Sequence, residues 1–184
     1  MADLVPAWAS GVCAGVHASG SRDVVYVPDN PLSHVLRNFE REFRDVRLLL
    51  ATREEEAFGI GAGLYLGGRK PTVMLQSSGL GNSLNAITSL LIPYQIPVLI
   101  IVSMRGDAGE WNAAQVPMGR SVPAIFEAIG VPHSRVESER EAAASVRAPA
   151  KPPSPRASPT PCCCRDALQT LQVGLQSDST LTPL

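Results

Sequence analysis

Residues 52–65 read TREEEAFGIGAGLY and follow the apolar run VRLLLA of residues 46–51. The apolar run is typical of a buried strand, and acidic residues directly after it are typical of a first helical turn, where free backbone N–H groups favour negative charge. The helix continues with glycine and alanine at close intervals, which leaves little side chain between its backbone and a neighbour. The stretch therefore predicts a strand followed by a helix whose backbone another molecule or segment can approach closely.

Other segments of the chain repeat this order of apolar strand, polar loop and helix. Strands are predicted at residues 24–27, 47–51, 71–75 and 97–103, with a short extended piece at 132–136. Helices are predicted at residues 5–16, 32–39, 52–65, 84–91 and 122–129. Strands that alternate with helices at this spacing indicate an α/β fold with a doubly wound, mostly parallel sheet and helices on both faces.

Four loops follow the predicted strands and begin at Pro28, Thr52, Gln76 and Met104. In sheets of this class the loops at the carboxyl ends of the strands form the binding crevice. We therefore expect the four loops to meet at one edge of the sheet. Residues 76–83, QSSGLGNS, are rich in glycine and serine and are predicted to remain a loop until the fourth helix begins.

Length and composition indicate one ordinary globular domain, since the chain has 184 residues of which 45% are hydrophobic. A net charge of −1 argues against nucleic acid or an anionic membrane surface as a partner. The first residues lack the pattern of a secretory signal, and the apolar run at 98–102 is too short to cross a bilayer, so we expect a cytoplasmic protein. Cys13 and the adjacent cysteines 162–164 lack the spacing of zinc ligands, so no metal site is expected.

The composition changes abruptly after residue 144. Six prolines follow between residues 149 and 161, together with serine and arginine and then three adjacent cysteines. No helix or central strand tolerates this density of proline, because each one removes a backbone donor and fixes φ. We therefore divide the chain into a domain of residues 1–145 and a tail of residues 146–184 that is disordered or extended. The tail is either a natural linker or, the hypothesis we favour, the product of a shifted reading frame that has replaced a last helix and strand.

Two motifs carry a resemblance to a known class of enzyme. Residues 53–57, REEEA, with GLY at 63–65, and residues 76–82, QSSGLGN, resemble the pyrimidine-binding module of thiamine diphosphate enzymes. That resemblance implies the fold of this module, which is again a doubly wound α/β sheet.

Further residues narrow the resemblance. Residues 27–30, VPDN, and the segment from Arg105-Gly106 through Gln115 to Gly119-Arg120 are similar to the sulfopyruvate and phosphonopyruvate decarboxylases, above all to the α-subunit type of the former. The similarity covers about residues 5–141, and the tail departs from it.

The resemblance implies a role for one of the three consecutive glutamates. Glu54 matches the family's glutamate because Ala57 follows three residues later and Gly63 nine residues later, whereas Glu55 and Glu56 do not match. The family's carboxyl group hydrogen-bonds N1′ of the cofactor's aminopyrimidine and shares a proton with it. Glu54 is therefore the catalytic residue that the resemblance implies.

The resemblance also implies binding residues. Those implied for the cofactor are Pro28, Asp29, Gln76, Ser77, Ser78, Gly79, Gly81 and Asn82. Those implied for the substrate are Arg105, Gln115 and Arg120. The planar guanidinium group of arginine suits a sulfonate or phosphonate because it offers two parallel donors to a tetrahedral oxyanion. Each arginine also has a second interpretation as an ordinary solvated surface residue, and Trp111 either walls the pocket or simply packs.

A partner subunit follows from what the motif pattern lacks. The family holds Mg²⁺ and the diphosphate with a Gly-Asp-Gly segment and a later asparagine, and residues 106–108 lack the second glycine. The resemblance thus implies a β subunit that brings the diphosphate side and Mg²⁺, an active site shared at the interface, and a higher hetero-oligomer. The implied reaction is the thiamine diphosphate-dependent decarboxylation of a small 2-oxo acid, 3-sulfopyruvate, to sulfoacetaldehyde and carbon dioxide, a step of coenzyme M biosynthesis.

Three alternatives stay open on the sequence alone, the third of which is that the shifted tail leaves a truncated, inactive product. The first is a subunit of the phosphonopyruvate decarboxylase type, although such enzymes usually carry both modules on one chain. The second is a non-catalytic nucleotide-binding or regulatory α/β module, in which the acidic turn at 54–56 is only the start of a helix.

Overall fold

The computed structural model describes residues 5–107, 109–136, 139–147 and 169–174. The helices are α1 (Ala7–Ala18), α2 (Asn30–Glu42), α3 (Glu54–Leu66), α4 (Ser77–Ala86), α5 (Val116–Ala128) and α6 (Glu139–Arg147). A π-helical turn, Ile87–Leu91, continues α4, and a 3₁₀ turn, Ala113–Gln115, precedes α5. The strands are β1 (Asp23–Tyr26), β2 (Arg47–Leu50), β3 (Pro71–Gln76), β4 (Leu99–Met104), β5 (His133–Val136) and β6 (Gln169–Gly174).

The six strands form one sheet in the order β2-β1-β3-β4-β6-β5, and every neighbouring pair is parallel. Because alternate residues of a strand point to opposite faces, each central strand contributes to two cores. Val24 packs with residues of α1, α2 and α6, whereas Val25 packs with residues of α3, α4 and α5. The prediction of a doubly wound parallel sheet with helices on both faces is confirmed.

Both cores consist of fully buried apolar side chains. Phe58 of α3, Leu80 of α4 and Phe126 of α5 lie in the core on one face of the sheet. Val12 of α1 and Phe39 of α2 lie in the core on the other face. These layers hold the strands rigidly, so that the loops at the carboxyl edge keep fixed relative positions.

The structure differs from the sequence prediction at residues 76–83, which are not a loop. Helix α4 begins at Ser77, directly after β3, so the glycine-rich segment is its first two turns. The glycines are present for close packing and not for a turn: a Cβ at Gly79 would overlap the side chain of Glu54, and one at Gly81 would lie 3.2 Å from Sδ of Met118. Helix α5 likewise begins at Val116, earlier than predicted.

Two elements of the structure reach into the predicted tail. Helix α6 runs to Arg147, across the boundary predicted after residue 145, and β6, an extended segment, lies at Gln169–Gly174. Strand β6 pairs in parallel with both β4 and β5, and Thr170, Leu171 and Val173 have high strand propensity. The prolines and cysteines between residues 149 and 164 lie outside the described residues, and the reading-frame hypothesis stays a prediction.

Within the described part, no helix has the length and apolar character that crossing a bilayer requires. The same residues contain no group of three His, Cys, Asp or Glu side chains placed to hold a metal ion. Cys13 lies buried in α1, where desolvation raises the pKa of its thiol to about 12, so this cysteine is a packing residue.

Candidate active site

The carboxyl edge of the sheet brings together the ends of β1, β3 and β4. Gln76, the last residue of β3, pairs in register with Ser103 of β4, and the N–H of Val27, just beyond β1, donates to the carbonyl of Met74 at 3.1 Å. Helix α3 starts at this edge after β2, and α4 starts there after β3. The chain segments that begin at Pro28, Thr52, Gln76 and Met104 therefore share one edge, as predicted, although the segment at Gln76 enters helix α4 directly and is not a loop.

Glu54 lies where the first turns of α3 and α4 meet. It is the first residue of α3, it is half-buried, and its side chain lies across the backbone of Gly79 in α4. A Cβ at Gly79 would lie 2.5 Å from Oε1 and 2.7 Å from Cδ of Glu54, so only glycine leaves room for the carboxyl group in this position. No hydrogen bond or ion pair to another described residue occupies the Glu54 carboxyl group, and it is free to meet a ligand.

The two following glutamates are engaged in the helix start itself. Oε2 of Glu56 accepts the backbone N–H of Thr52 at 2.7 Å and that of Arg53 at 3.4 Å, which stabilises the entry into α3. Oε1 of Glu55 pairs with Nε of Arg53 at 2.7 Å. Among the three carboxylates, only that of Glu54 keeps both oxygens unpaired within the described chain, and its catalytic role stays a prediction.

Unsatisfied polar atoms mark the same edge. Among the residues that the structure describes, four buried side-chain oxygens lack a hydrogen-bond partner: Oε1 of Gln76, Oγ of Ser77, Oε1 of Gln115 and Oε2 of Glu55. Three of them belong to residues that the sequence nominated for cofactor or substrate. A buried acceptor without a donor costs about 1–3 kcal/mol, so a site that retains several is built for a molecule that supplies the missing partners.

These residues fit an aminopyrimidine ring. Such a ring presents an amino group with two donors and ring nitrogens that accept. The oxygens of Gln76, Ser77 and Glu54 offer hydrogen-bond acceptors, and the Ser77 hydroxyl can also donate. The first turn of α4 adds free N–H groups, because no side chain caps this helix. Ser78 in that turn is half-buried, and Asn82, further along α4, is exposed.

Asp29 links β1 to β4. It stands at the N-cap of α2, but its side chain does not cap that helix. Instead, Oδ2 accepts the hydroxyl of Ser103 at 2.6 Å, and Oδ1 lies 3.9 Å from Nη1 of Arg105. Pro28, the residue before it, is exposed. The carboxyl group of Asp29 thus lies between the ends of two strands, one on each side of β3.

Arg105 is held by a glutamate that sequence reasoning did not identify. Nε and Nη2 of Arg105 donate to Oε2 and Oε1 of Glu110 at 2.7 and 2.9 Å, a bidentate ion pair. Glu110 also accepts the backbone N–H groups of Gly106 and Asn112 at 3.3 and 3.0 Å. These donors, the guanidinium first, lower the pKa of Glu110 from 4.5 to about 2, and the same hydrogen bonds raise the pKa of Arg105.

The backbone around Arg105 is equally constrained. Gly119 in α5 lies directly against the carbonyl group of Arg105, where a side chain would overlap it. Gly106 has φ +81°, and a Cβ there would lie 2.8 Å from Cα of Val116. The loop after β4 is therefore packed against the first turns of α5, and the position of Arg105 is set by both its backbone and its side chain.

Two other nominated residues do not join the cluster. Arg120 is exposed on α5, roughly opposite the buried face of Val122 and Phe126, and makes no ion pair within the described residues. Trp111 is 85% exposed, so it does not pack against the described part of the chain. Gln115 has its buried oxygen close before α5. The substrate roles of Arg105, Gln115 and Arg120 stay predictions.

Comparison with known proteins gives consistent relatives. No protein-family model matches the chain. It is 44% identical over 124 residues to sulfopyruvate decarboxylase subunit alpha of Methanococcus maripaludis, which covers 67% of this chain and 74% of that protein. It is 44% identical over 116 residues to sulfopyruvate decarboxylase subunit alpha of Methanocaldococcus jannaschii, which covers 63% and 68%.

A phosphonopyruvate decarboxylase of Streptomyces hygroscopicus is 38% identical over 119 residues, and the match covers 64% of this chain but only 29% of that protein. The alpha-subunit relatives are thus matched over most of their own length, and the longer enzyme only over a part. The chain belongs to the family of sulfopyruvate decarboxylase alpha subunits.

Proposed function

We propose that this chain is the α subunit of a thiamine diphosphate-dependent decarboxylase that converts 3-sulfopyruvate to sulfoacetaldehyde and carbon dioxide. The observation that carries the proposal is the carboxyl group of Glu54, which lies unpaired across Gly79 at the carboxyl edge of the sheet. It combines with the family membership, since the relatives are named as decarboxylase subunits.

Glu54 has the chemical properties that the proposed role needs. When bound, thiamine diphosphate supplies the carbon nucleophile and the electron-accepting ring for decarboxylation of a 2-oxo acid. The Glu54 carboxyl group would hydrogen-bond N1′ of the aminopyrimidine and hold a proton there. Gln76 and Ser77 would provide the remaining polar contacts, because each has a buried oxygen that needs a partner.

A second subunit completes the site in this proposal. The relatives are named as alpha subunits, which implies a partner chain. We propose that this β subunit holds the diphosphate and Mg²⁺ against the edge that carries Glu54, and that the two chains form a higher hetero-oligomer. Binding of the cofactor at the interface would then satisfy polar atoms that this chain leaves unpaired.

The sulfonate substrate is favoured over a phosphonate by the extent of the matches. Two α-subunit relatives are matched over 74% and 68% of their length, against 29% for a phosphonopyruvate decarboxylase. The assay below includes both 2-oxo acids, so the two substrates compete directly.

The test is co-expression of the chain with its β subunit, followed by measurement of carbon dioxide released from 3-sulfopyruvate and from phosphonopyruvate, with and without thiamine diphosphate. We expect cofactor-dependent release from sulfopyruvate. The Glu54→Gln variant keeps the shape of the side chain but loses the acid, and its kcat is expected to fall by about 100-fold or more.

The matched control is Glu55→Gln, which removes a charge from the same helical turn. It is expected to keep activity within about threefold, because Glu55 pairs with Arg53 and does not lie against α4. Full activity of Glu54→Gln, or activity that does not need thiamine diphosphate, would refute the assignment.

A further inference from the structure

The second arrangement at the carboxyl edge that calls for an explanation is the pair Arg105 and Glu110. Their side chains are only 18% and 8% exposed, so the ion pair is largely shielded from solvent. Glu110 uses both oxygens and accepts four N–H groups, two from the guanidinium and two from the backbone. A carboxylate with this many donors holds a fixed position, and it fixes the guanidinium with it.

The clamp leaves one nitrogen of Arg105, Nη1, without a hydrogen bond to the described residues, although it lies within ion-pair distance of Asp29. Nε and Nη2 donate to Glu110, whereas Nη1 lies 3.9 Å from Oδ1 of Asp29, which is too far for a hydrogen bond. Asp29 is in turn fixed by the hydroxyl of Ser103 at 2.6 Å, at the end of β4. Nη1 therefore faces the ends of β1 and β4, beside the edge that carries Gln76.

We propose that Glu110 is a positioning residue for substrate specificity: by clamping two nitrogens of Arg105, it presents Nη1 to the sulfonate group of the substrate. The inference rests on the proposed function for the identity of the anion. A flexible arginine loses side-chain entropy when it binds, and Glu110 removes that cost in advance. Fixed direction also favours a tetrahedral oxyanion at one place over anions of other shape.

The test measures binding without catalysis. The complex of this chain with its β subunit, free of thiamine diphosphate, is titrated calorimetrically with 3-sulfopropionate, which keeps the sulfonate and carboxylate of the substrate but lacks its keto oxygen, and with propionate, which lacks the sulfonate. Wild type is expected to bind 3-sulfopropionate more tightly than propionate. Glu110→Gln is expected to weaken 3-sulfopropionate about 10-fold or more, since it breaks a charge-assisted pair.

A double-mutant cycle separates positioning from general damage. In an Arg105→Met background, Glu110→Gln is expected to cause no further loss of 3-sulfopropionate binding, because the residue it positions is already absent. Glu110→Asp keeps a carboxylate and is expected to restore part of the affinity. Glu127→Gln, the same change at an exposed residue of α5, is expected to bind as wild type does.

Thermal unfolding of each variant checks that it is folded, and Glu110→Asp replaces Glu110→Gln in the cycle if the latter does not fold. Three outcomes would overturn the proposal. Wild type could bind 3-sulfopropionate no more tightly than propionate, or the Glu110 variant could bind 3-sulfopropionate as tightly as wild type does. The Glu110 substitution could also weaken 3-sulfopropionate binding in the Arg105→Met background. None of them depends on bound thiamine diphosphate or on turnover, so they leave the role of Glu54 untouched, and a failed decarboxylation assay leaves this binding result standing.

Discussion

Polar side chains at the two edges of the sheet differ in whether they have hydrogen-bond or ion-pair partners. At the amino edge, the carboxyl group of Asp23 is 1% exposed and pairs with both Arg47, at 2.6 Å to Nη2, and Arg69. At the carboxyl edge, Glu54 is unpaired within the described chain, and the oxygens of Gln76 and Ser77 are buried without partners. Within the described residues, hydrogen-bond pairing of buried polar groups is thus more complete at the amino edge than at the carboxyl edge.

The hydroxyl groups show the same contrast along a single strand. Thr72, near the start of β3, donates its hydroxyl to Oγ of Ser21 at 2.9 Å, and Ser21 donates to the carbonyl of Asp23 at 3.3 Å. Ser77, directly after the end of β3, is equally buried, but its hydroxyl has no partner. Burial alone does not distinguish the two edges, whereas hydrogen-bond satisfaction does.

The largest effect is expected from Gly79→Ala, which fills the space that Glu54 occupies at the carboxyl edge. The added methyl group would lie 2.5 Å from Oε1 of Glu54, so the flexible side chain must rotate away. We expect kcat of the complex to fall by about 100-fold or more, since a displaced acid loses its proton transfer. The free energy of unfolding of the chain is expected to change by less than about 1 kcal/mol.

Gly59→Ala is the matched control for folding, because a Cβ at Gly59 meets nothing within 4 Å. It is expected to stabilise α3 by about 0.5–1 kcal/mol, the ordinary gain from alanine inside a helix. Two results would contradict this prediction: a Gly79→Ala chain that does not fold, or a folded Gly79→Ala chain that keeps full activity. In either case the close contact between Gly79 and Glu54 would not be shown to matter for function.

An intermediate effect is expected on acidification. The pKa of Glu110 lies at about 2 in the folded chain and near 4.5 when unperturbed, so the unfolded chain takes up the proton first. The stabilising contribution is therefore complete above about pH 4.5 and is lost as the pH falls toward 2, by up to about 3 kcal/mol. Urea unfolding at pH 6, 4 and 3 measures it.

Glu110→Gln cannot take up this proton, so its stability is expected to fall less steeply between pH 5 and pH 3 than that of wild type. At the amino edge, Asp45 also has a lowered pKa, through its hydrogen bond with His17, but it is exposed. Equal pH slopes for wild type and Glu110→Gln would assign the acid sensitivity to other carboxylates.

The smallest effects are expected from hydroxyl deletion at the two ends of β3. Thr72→Val removes a satisfied buried hydroxyl and is expected to destabilise the chain by about 1 kcal/mol. Ser77→Ala removes an unsatisfied one and is expected to leave stability unchanged or to raise it by up to about 1 kcal/mol. Chemical denaturation compares the two, and a larger loss for Ser77→Ala would reverse the contrast between the edges.

The order of strands and helices, and the edge at which the loops meet, could be predicted from sequence because both follow from hydrophobic periodicity. Residues 24–27 are a continuous apolar run and residues 71–75 are interrupted only by Thr72, as is typical of buried parallel strands, and the strands found there are Asp23–Tyr26 and Pro71–Gln76. Glu54 could be singled out because the spacing to Ala57 and Gly63 is a local feature of the chain.

Contacts between distant segments could not be predicted in this way. Glycine and serine at 76–83 favour a loop by local propensity, but packing of Gly79 on Glu54 and of Gly81 on Met118 favours a helix. Glu110 belongs to no periodic pattern, and its partner became evident only from the folded loop. The sequence pointed only weakly to Ser103 as a residue of the carboxyl edge, because it shows only that this polar residue ends an apolar run.

The position of strand β6 affects how the chain folds while it is being synthesised. It comes last of the six strands in the chain, but it lies inside the sheet, between β4 and β5. During synthesis, β5 therefore emerges before the strand that attaches it to the rest of the sheet. Until β6 is made, the backbone N–H and C=O groups on one edge of β4 are unpaired. A ribosome that has released residues up to 168 carries a four-stranded sheet whose exposed edge can recruit another chain. We expect this nascent stage to be the one most in need of a chaperone.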